Sequence, residues 1–259
     1  MGIVNVTPDS FSDGGKFLNA DKAIAHGLQL IEEGAHILDI GGESTRPGAA
    51  PVSVDEELSR ILPVIKGLRD KGALISCDTR RTAVMEEALK AGADIINDVD
   101  ALTDNGAIEL LSRSQALICL MHKKGQPENM QDDPFYEDVV EEVYTFLDER
   151  IAACKAAGIH ADRLMVDVGI GFGKTLAHNL ALLQNLDRFQ TLGVPVLLGA
   201  SRKRFIAAVD PKAKDPEDRL GGSLSAALLG YSQGAHIFRV HDVAATRQAL
   251  AVYSAVITH

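Results

Sequence analysis

Gly72-Ala73-Leu74-Ile75-Ser76-Cys77-Asp78 is the stretch on which the reading of the fold turns. A glycine precedes an apolar run, and the run ends on a carboxylate. Thr82 to Ala91 then reads as a helix, Gly92 follows, and a second run, Asp94-Ile95-Ile96-Asn97-Asp98, again ends polar. Strands alternating with helical stretches imply βαβ units and a parallel sheet. Runs that are apolar at nearly every residue imply strands covered on both faces.

The unit recurs on either side. Runs at 3–6, 36–42, 116–122, 163–167, 194–199 and 235–241 bring the strands to eight. Apolar spacing near 3.6 predicts helices over about 21–33, 55–71, 82–91, 106–113, 136–157, 178–189, 221–233 and 244–257. Leu58, Ile61, Leu62, Ile65 and Leu68 form the clearest apolar stripe. Gly34, Gly72, Gly92, Gly158, Gly193 and Gly234 each sit just before a strand, where a helix C-cap belongs. The 259 residues match a (β/α)8 barrel of about 250 residues. No linker composition divides them, so one domain over 1–259 is expected. A doubly wound open sheet is the alternative.

The formal net charge of −10 argues against non-specific nucleic-acid binding, which needs a basic face. It leaves an anionic ligand open, because local cations decide that. No apolar run reaches the roughly 18 residues of a membrane span, and no signal-peptide pattern is visible. Cys77, Cys119 and Cys154 are odd in number and form no CxxC pair, which reads as buried thiols in a reducing cytoplasm.

Barrel enzymes carry their chemistry at the C-terminal ends of the strands. Those ends hold Asn5, Asp39 with Glu43, Asp78, Asn97 with Asp98, His122, Asp167, Ser201 with Lys203, and Arg239 with His241. Any single polar strand end is ordinary in an α/β protein. All eight being polar, while the strand starts are mostly Gly, Ala and aliphatic, marks one rim as a site. Barrels often hold phosphate with the loops after strands seven and eight. Ser201-Arg202-Lys203-Arg204 follows strand seven. Arg239 and His241, two apart, point the same way from strand eight. The planar fork of an arginine suits phosphate oxygens.

Gly169-Ile170-Gly171-Phe172-Gly173-Lys174-Thr175 looks like a phosphate loop and is not one. The P-loop pattern needs glycine at 168, which is Val, and GxGxxG needs glycine at 174, which is Lys. Its glycines are expected to let backbone approach a flat ligand, with Phe172 stacking on it. No Cys/His cluster suggests zinc.

The segment 5–15, Asn5-Val6-Thr7-Pro8-Asp9-Ser10-Phe11-Ser12-Asp13-Gly14-Gly15, resembles the first signature of the dihydropteroate synthases. Gly41-Gly42-Glu43-Ser44-Thr45-Arg46-Pro47-Gly48-Ala49 resembles the second. Asp78-Thr79, Ile96-Asn97-Asp98, Met121-His122, Gly171-Phe172-Gly173-Lys174, Ser201-Arg202-Lys203 and Arg239-Val240-His241 follow in the family's order. The resemblance implies a TIM barrel that joins 6-hydroxymethyl-7,8-dihydropterin diphosphate to 4-aminobenzoate, with Mg2+ assisting and diphosphate leaving. It implies a pterin pocket of Asp78, Asn97, Met121, Asp167, Gly199 and Lys203. Diphosphate falls to Asn5, Thr45, Arg46, Arg239 and His241, with Asn5 as the protein ligand of the metal. The arylamine falls to Phe11, Thr45, Arg46, Pro47, Phe172, Ser201 and Lys203. Asn5, Lys203, Arg239 and His241 carry catalysis. The segments 7–17 and 43–51 are implied to close over the site, and a homodimer is the family's usual state.

Three departures stand out. The family usually places a hairpin before the first barrel strand, whereas this chain opens on the strand, so a trimmed terminus or a less covered barrel floor is expected. Asp167-Val168-Gly169 replaces the common Asp-Pro-Gly, which predicts a less rigid turn. Asp100 and Lys123-Lys124 are also unusual. Two rival readings are a methyltetrahydrofolate methyltransferase-like barrel and a degenerate, non-catalytic paralogue. The Thr45–Gly48 and Ser201–Lys203 signatures disfavour the first, and intact Asn5, Arg46 and Lys203 disfavour the second.

Overall fold

In the computed structural model, residues 1–7, 16–44, 51–125 and 134–258 are described, the side chains of 16–19 excepted. Among them run eight strands: β1 (Gly2–Asn5), β2 (Ile37–Gly41), β3 (Leu74–Asp78), β4 (Ile95–Asp98), β5 (Leu117–Met121), β6 (Leu164–Asp167), β7 (Val196–Leu198) and β8 (Ile237–Phe238). They pair in chain order, each parallel to the next. Past β8, Ile3 donates its N–H to the Val240 carbonyl (3.1 Å) and Val240 donates to Met1 (2.9 Å). The sheet therefore closes on itself as a TIM barrel, and the open-sheet alternative falls.

The connections carry α1 (Lys16–Glu32), α2 (Val54–Leu68), α3 (Thr82–Ala91), α4 (Ala107–Ser112), α5 (Val139–Ala156), α6 (Leu176–Gln184), α7 (Arg204–Val209), α8 (Leu220–Ser232) and α9 (Val243–Ile257). None is long and apolar enough to cross a membrane. Local chemistry sets their ends. Ser53 caps α2 by accepting the Glu56 N–H, and Asp138 caps α5 by accepting those of Val140 and Glu141. That cap delays α5 to Val139, three residues after the expected start. The six glycines expected as C-caps all adopt positive φ, between 74° and 109°.

Side-chain alternation along each strand divides the core in two. Val4, Leu38, Ile40, Ile75, Cys77, Ile96, Leu120, Val166 and Leu198 face outward and pack with buried helix residues. Ile95, Cys119, Met165 and Leu197 face inward and fill the barrel floor with Met1, Ile37, Leu117 and Ile237. All three cysteines are buried free thiols, as expected.

Three expectations need correction. The helix expected over 178–189 is two pieces: α6, then a 3-10 turn over Leu186–Leu192. Asn185 breaks it, its side-chain amide donating to the Ala181 carbonyl at 2.8 Å, and such local bonds compete with the helix ladder. α7 was not anticipated: its first residue, Arg204, belongs to the basic Ser201–Arg204 stretch read as a strand-end loop. In α2 the face is wider than read: the expected stripe packs on the core, with Leu58 and Leu62 partly buried, and Glu57 and Val64 join its buried side.

Phe189 is fully buried where α5 and the 3-10 turn meet the barrel wall. Phe189→Ala is expected to cost about 3–5 kcal/mol of stability, read as a lowered urea midpoint with an unchanged slope.

Candidate active site

The inward positions one step above the apolar floor are polar. Ile37 gives way to Asp39, Ile95 to Asn97, Met165 to Asp167, Leu197 to Gly199 and Ile237 to Arg239. Period-two alternation stacks this polar layer at the C-terminal rim. Asn5, Ser76, Asp78 and Met121 share the same inward parity.

Asp39 is the hub. It is fully buried and accepts three hydrogen bonds: from Ser76 Oγ (2.6 Å), Asn97 Nδ2 (3.1 Å) and Arg239 Nε (2.5 Å). Arg239 donates a second bond from Nη2 to Asp78 at 2.8 Å. Burial opposes the Arg239 charge, but Asp39 and Asp78 outweigh it and hold its pKa above the ordinary value. Burial pushes Asp78 up to about 7, with Arg239 restraining the rise. The expectation that the arginine fork faces phosphate needs correcting. Nε and one terminal nitrogen are bound to carboxylates, which leaves one terminal nitrogen for an anion.

Asp167 closes the opposite side. Burial raises its pKa, against the Gly169 N–H donated to Oδ1 (2.8 Å) and the charges of Lys203, Arg239 and Lys174. Its other oxygen faces Gly199, where an added Cβ would lie 3.3 Å from Oδ2. Glycine there keeps that oxygen accessible. Lys203 lies between Asp167, Asp78 and Arg239, and burial followed by repulsion from Arg239 lowers it to about 8. Its ammonium sits 4.1 Å from the centre of the Phe172 ring, a cation–π contact. Asn5 ends β1 half-buried beside Gly41, which pairs in turn with Asp78.

Ser201 Oγ lies 3.1 Å from His241 Nδ1 and accepts the His241 backbone N–H at 3.2 Å. This Ser–His contact was not anticipated. It ties the β7 loop to the β8 loop, as does the Arg202–Asp242 ion pair at 2.6 Å.

Two strand-end groups leave the rim. Asp98 has outward parity and accepts backbone N–H groups from Asp100 (2.8 Å) and Leu102 (2.7 Å), which shapes the turn after β4. Burial still pushes it up to about 7. His122 packs edge-on against Phe146, 5.0 Å away, underneath α5. Burial and then the Lys174 charge push it down to about 2, so the ring is neutral. The glycines at 169 and 173 also need a different reason. Both have positive φ, and an added Cβ would lie 1.9 Å from the His122 carbonyl and 2.1 Å from that of Lys124. They admit backbone against backbone rather than against a ligand. The turn without its proline is held by the Asp167–Gly169 bond. Asp100 finds Lys123 at 2.5 Å, which accounts for those two together, while the Lys124 ammonium lies 4.1 Å from the centre of the Tyr136 ring.

Sequence reading missed a second cluster. Glu43 accepts from Arg80 Nε (2.9 Å), Arg81 Nη2 (2.7 Å) and the Val52 N–H (3.3 Å). Arg81 also pairs with Glu57, which accepts from Thr79 Oγ1 at 2.7 Å. Burial pushes Glu43 up, but Arg80 and Arg81 outweigh it and hold its pKa below the usual range. Glu57 stays raised by burial. A carboxylate on the apolar stripe of α2 was the available signal. Phe11, Thr45, Arg46 and Pro47 lie outside the described residues, as do most of the two segments expected to close.

Replacing Arg239 with Met strands two carboxylates, which is expected to cost about 3–5 kcal/mol at pH 8. Without its cation, Asp78 rises further above its unfolded pKa, so the folded form holds the extra proton. Stability of the variant therefore falls as pH rises through that pKa. Its deficit against the parent protein, read by calorimetry, is expected to shrink as pH is lowered from 8 to 5.5.

The comparisons agree with this geometry. The family model described as "Pterin binding enzyme" matches residues 1–241. The dihydropteroate synthase of Neisseria meningitidis serogroup B is 53% identical over 261 aligned residues, covering 98% of this chain and 91% of the relative. A Xanthomonas albilineans dihydropteroate synthase solved with 4-aminobenzoic acid superposes with a TM-score of 0.94 at 52% identity, covering 100% of this chain and 93% of that one. The same organism's enzyme in complex with 7,8-dihydropteroate gives 0.91 at 48%, with the same coverage.

Proposed function

The chain belongs to the pterin binding enzyme family, and from that premise we propose that it works as a dihydropteroate synthase. It is a transferase that moves the dihydropterin-methyl group from 6-hydroxymethyl-7,8-dihydropterin diphosphate to the amine of 4-aminobenzoate. Diphosphate leaves and 7,8-dihydropteroate forms. The observation that carries this reading is the rim itself: Asp78, Asn97, Asp167, Lys203 and Arg239 brought together by hydrogen bonds and mutual charge, in a chain about half identical to known synthases from end to end.

Each residue has a role set by its chemistry. The open oxygen of Asp167 accepts from the amide and amine edge of the pterin, as a carboxylate does from any paired donors. Asp78, Asn97 and Lys203 complete that pocket, Met121 packs against the ring, and Gly199 leaves it room. The free terminal nitrogen of Arg239, with His241, takes the diphosphate. Phe172, Ser201 and Lys203 line the arylamine side, with Phe11, Thr45, Arg46 and Pro47 supplied by the two segments outside the described residues.

The donor set suits Mg2+, which takes oxygen ligands, keeps several waters and binds largely through substrate phosphates. Among the described residues no three His, Cys, Asp or Glu side chains gather as a metal cage. Asn5, at the strand end nearest the diphosphate side, offers a single neutral oxygen. When bound, the metal stabilises negative charge on the departing diphosphate. The carbon–oxygen bond breaks ahead of nucleophilic attack, so positive charge develops on the pterin-methyl group. Asp78 and Asp167 face that charge, and the arylamine nitrogen then supplies the electron pair for the new bond and gives up one proton, which the departing diphosphate can accept. No protein nucleophile is required. The Ser201 hydroxyl is held by the His241 backbone.

A homodimer and a cytoplasmic location complete the reading. Val252, Val256 and Ile257 on α9 and Leu229 on α8 are exposed apolar groups available for a second copy, and free buried thiols suit a reducing compartment.

The test is release of diphosphate from the pterin substrate. Sustained release, matched by formation of 7,8-dihydropteroate, is expected with 4-aminobenzoate and Mg2+ both present, and its absence overturns the proposal. Asp167→Ala is expected to weaken pterin binding by roughly 10- to 150-fold, the worth of one charged hydrogen bond, with the melting temperature little changed. Calorimetric titration with a pterin reads the first quantity. Lys203 carries its charge below about 8 and loses it above. Turnover is therefore expected to fall on the alkaline side of that value, and a Lys203→Met variant, slower throughout, is expected to lack that limb in its pH–rate profile.

A further inference from the structure

Lys174 is a buried basic side chain that the mechanism above leaves unused. It is 2% exposed, and no carboxylate lies within ion-pair distance of it among the described residues. Its ammonium instead meets three neutral acceptors: His122 Nδ1 at 3.0 Å, the Phe172 carbonyl at 3.1 Å and the His122 carbonyl at 3.4 Å. Burial pushes its pKa down to about 7, as for an amine held away from water without a counter-ion, and a methionine would fill the same space without that penalty. The cost must be offset by what the three contacts hold.

They hold the glycine segment to the end of β5. His122 leaves β5 and is fixed by Phe146 and Tyr136. Phe172 belongs to the segment after β6, which passes so close to His122 and Lys124 that two of its residues must be glycine. The rest of the segment is tied down in the same way. Phe172 donates its N–H to Gly169, Gly171 donates to Asn179 Oδ1 (2.7 Å), and the Tyr136 hydroxyl donates to the Gly173 carbonyl (2.9 Å). Asp167 anchors one end through Gly169. At the other, the Phe172 ring lies against Lys203. The distance between the pterin carboxylate and the Phe172 face is thus set by this short bridge.

We propose that Lys174 is a positioning residue for the arylamine: by bridging the Phe172 carbonyl to His122, it fixes the Phe172 ring relative to Asp167 and Lys203. This rests on the synthase reading above. Lys174 touches neither substrate. Its contacts act on the acceptor side, because Asp167, Asp78 and Asn97 stand on strands that Lys174 does not hold, and only its charge, the weakest of three cations near Asp167, reaches the pterin side.

The experiment is two-substrate steady-state kinetics on the full chain, with melting temperatures measured alongside. Lys174→Met removes the bridge and keeps the volume. The KM for 4-aminobenzoate is expected to rise between about tenfold and a hundredfold, the scale of a misplacement near 1 Å, while that for the pterin diphosphate stays within about twofold. Tyr136→Phe removes one hydroxyl from the same segment, and a smaller, equally selective rise of about threefold is expected. A lowered melting temperature with both KM values unchanged means a purely structural lysine and overturns the proposal, as does an equal rise in both. If Lys174→Met does not fold, Tyr136→Phe decides: an unchanged KM for 4-aminobenzoate overturns it. Absence of turnover in the parent protein instead removes the synthase reading, and this inference with it.

Discussion

Arg239 donates to Asp39 and Asp78 inside the mouth of the barrel, and the organisation of the rim depends on that three-way contact. The guanidinium comes from β8, near the end of the chain, and the carboxylates from β2 and β3. The contact therefore spans the barrel and cannot form until the sheet has closed. Two carboxylates at that depth would repel each other and lose solvation. One cation between them makes the arrangement tolerable, and Ser76 and Asn97 take up the remaining lone pairs of Asp39. Lys203 and Asp167 are then placed in a field already balanced in sign.

That field explains the division of labour between side chains of similar type. Asp39 accepts from three donors and serves as a hub. Asp78 shares Arg239, and Asp167 keeps one oxygen beside Gly199, where no side chain crowds it. Arg239 is chiefly a structural cation with a single nitrogen left over, whereas Lys203, repelled by it, is the more responsive group. Carboxylate identity alone does not distinguish these roles. The number of donors around each oxygen does.

Around this centre the loops after the strands are held by separate devices. Ser201–His241 and Arg202–Asp242 join the last two. Glu43, Arg80, Arg81 and Glu57 join the ends of β2 and β3 to α2. Lys174 joins β5 to the segment after β6. Each is a polar cluster at a place where hydrophobic packing has run out, which is where directional contacts are needed to fix geometry.

The chain's own pattern determined the barrel, the rim and most of the residues on it. Eight apolar runs ending polar are a local property, repeated often enough to be read without coordinates. Asn5, Asp78, Asn97, Asp167, Lys203 and Arg239 stand at those ends because strand length and the two-residue period put them there. Only the tertiary structure decided which polar ends turn inward. Asp98 and His122 are one residue out of phase with Asn97 and Met121, and that single step sends them to the helix side of the sheet. Only it decided what Arg239 faces, since its partners lie far away in sequence. Lys174 and Glu57 needed it too: both are charges in stretches read as a failed phosphate loop and an apolar stripe. Periodicity is carried by neighbours along the chain, whereas the partner that neutralises a buried charge is supplied by whichever strand the closed barrel brings beside it.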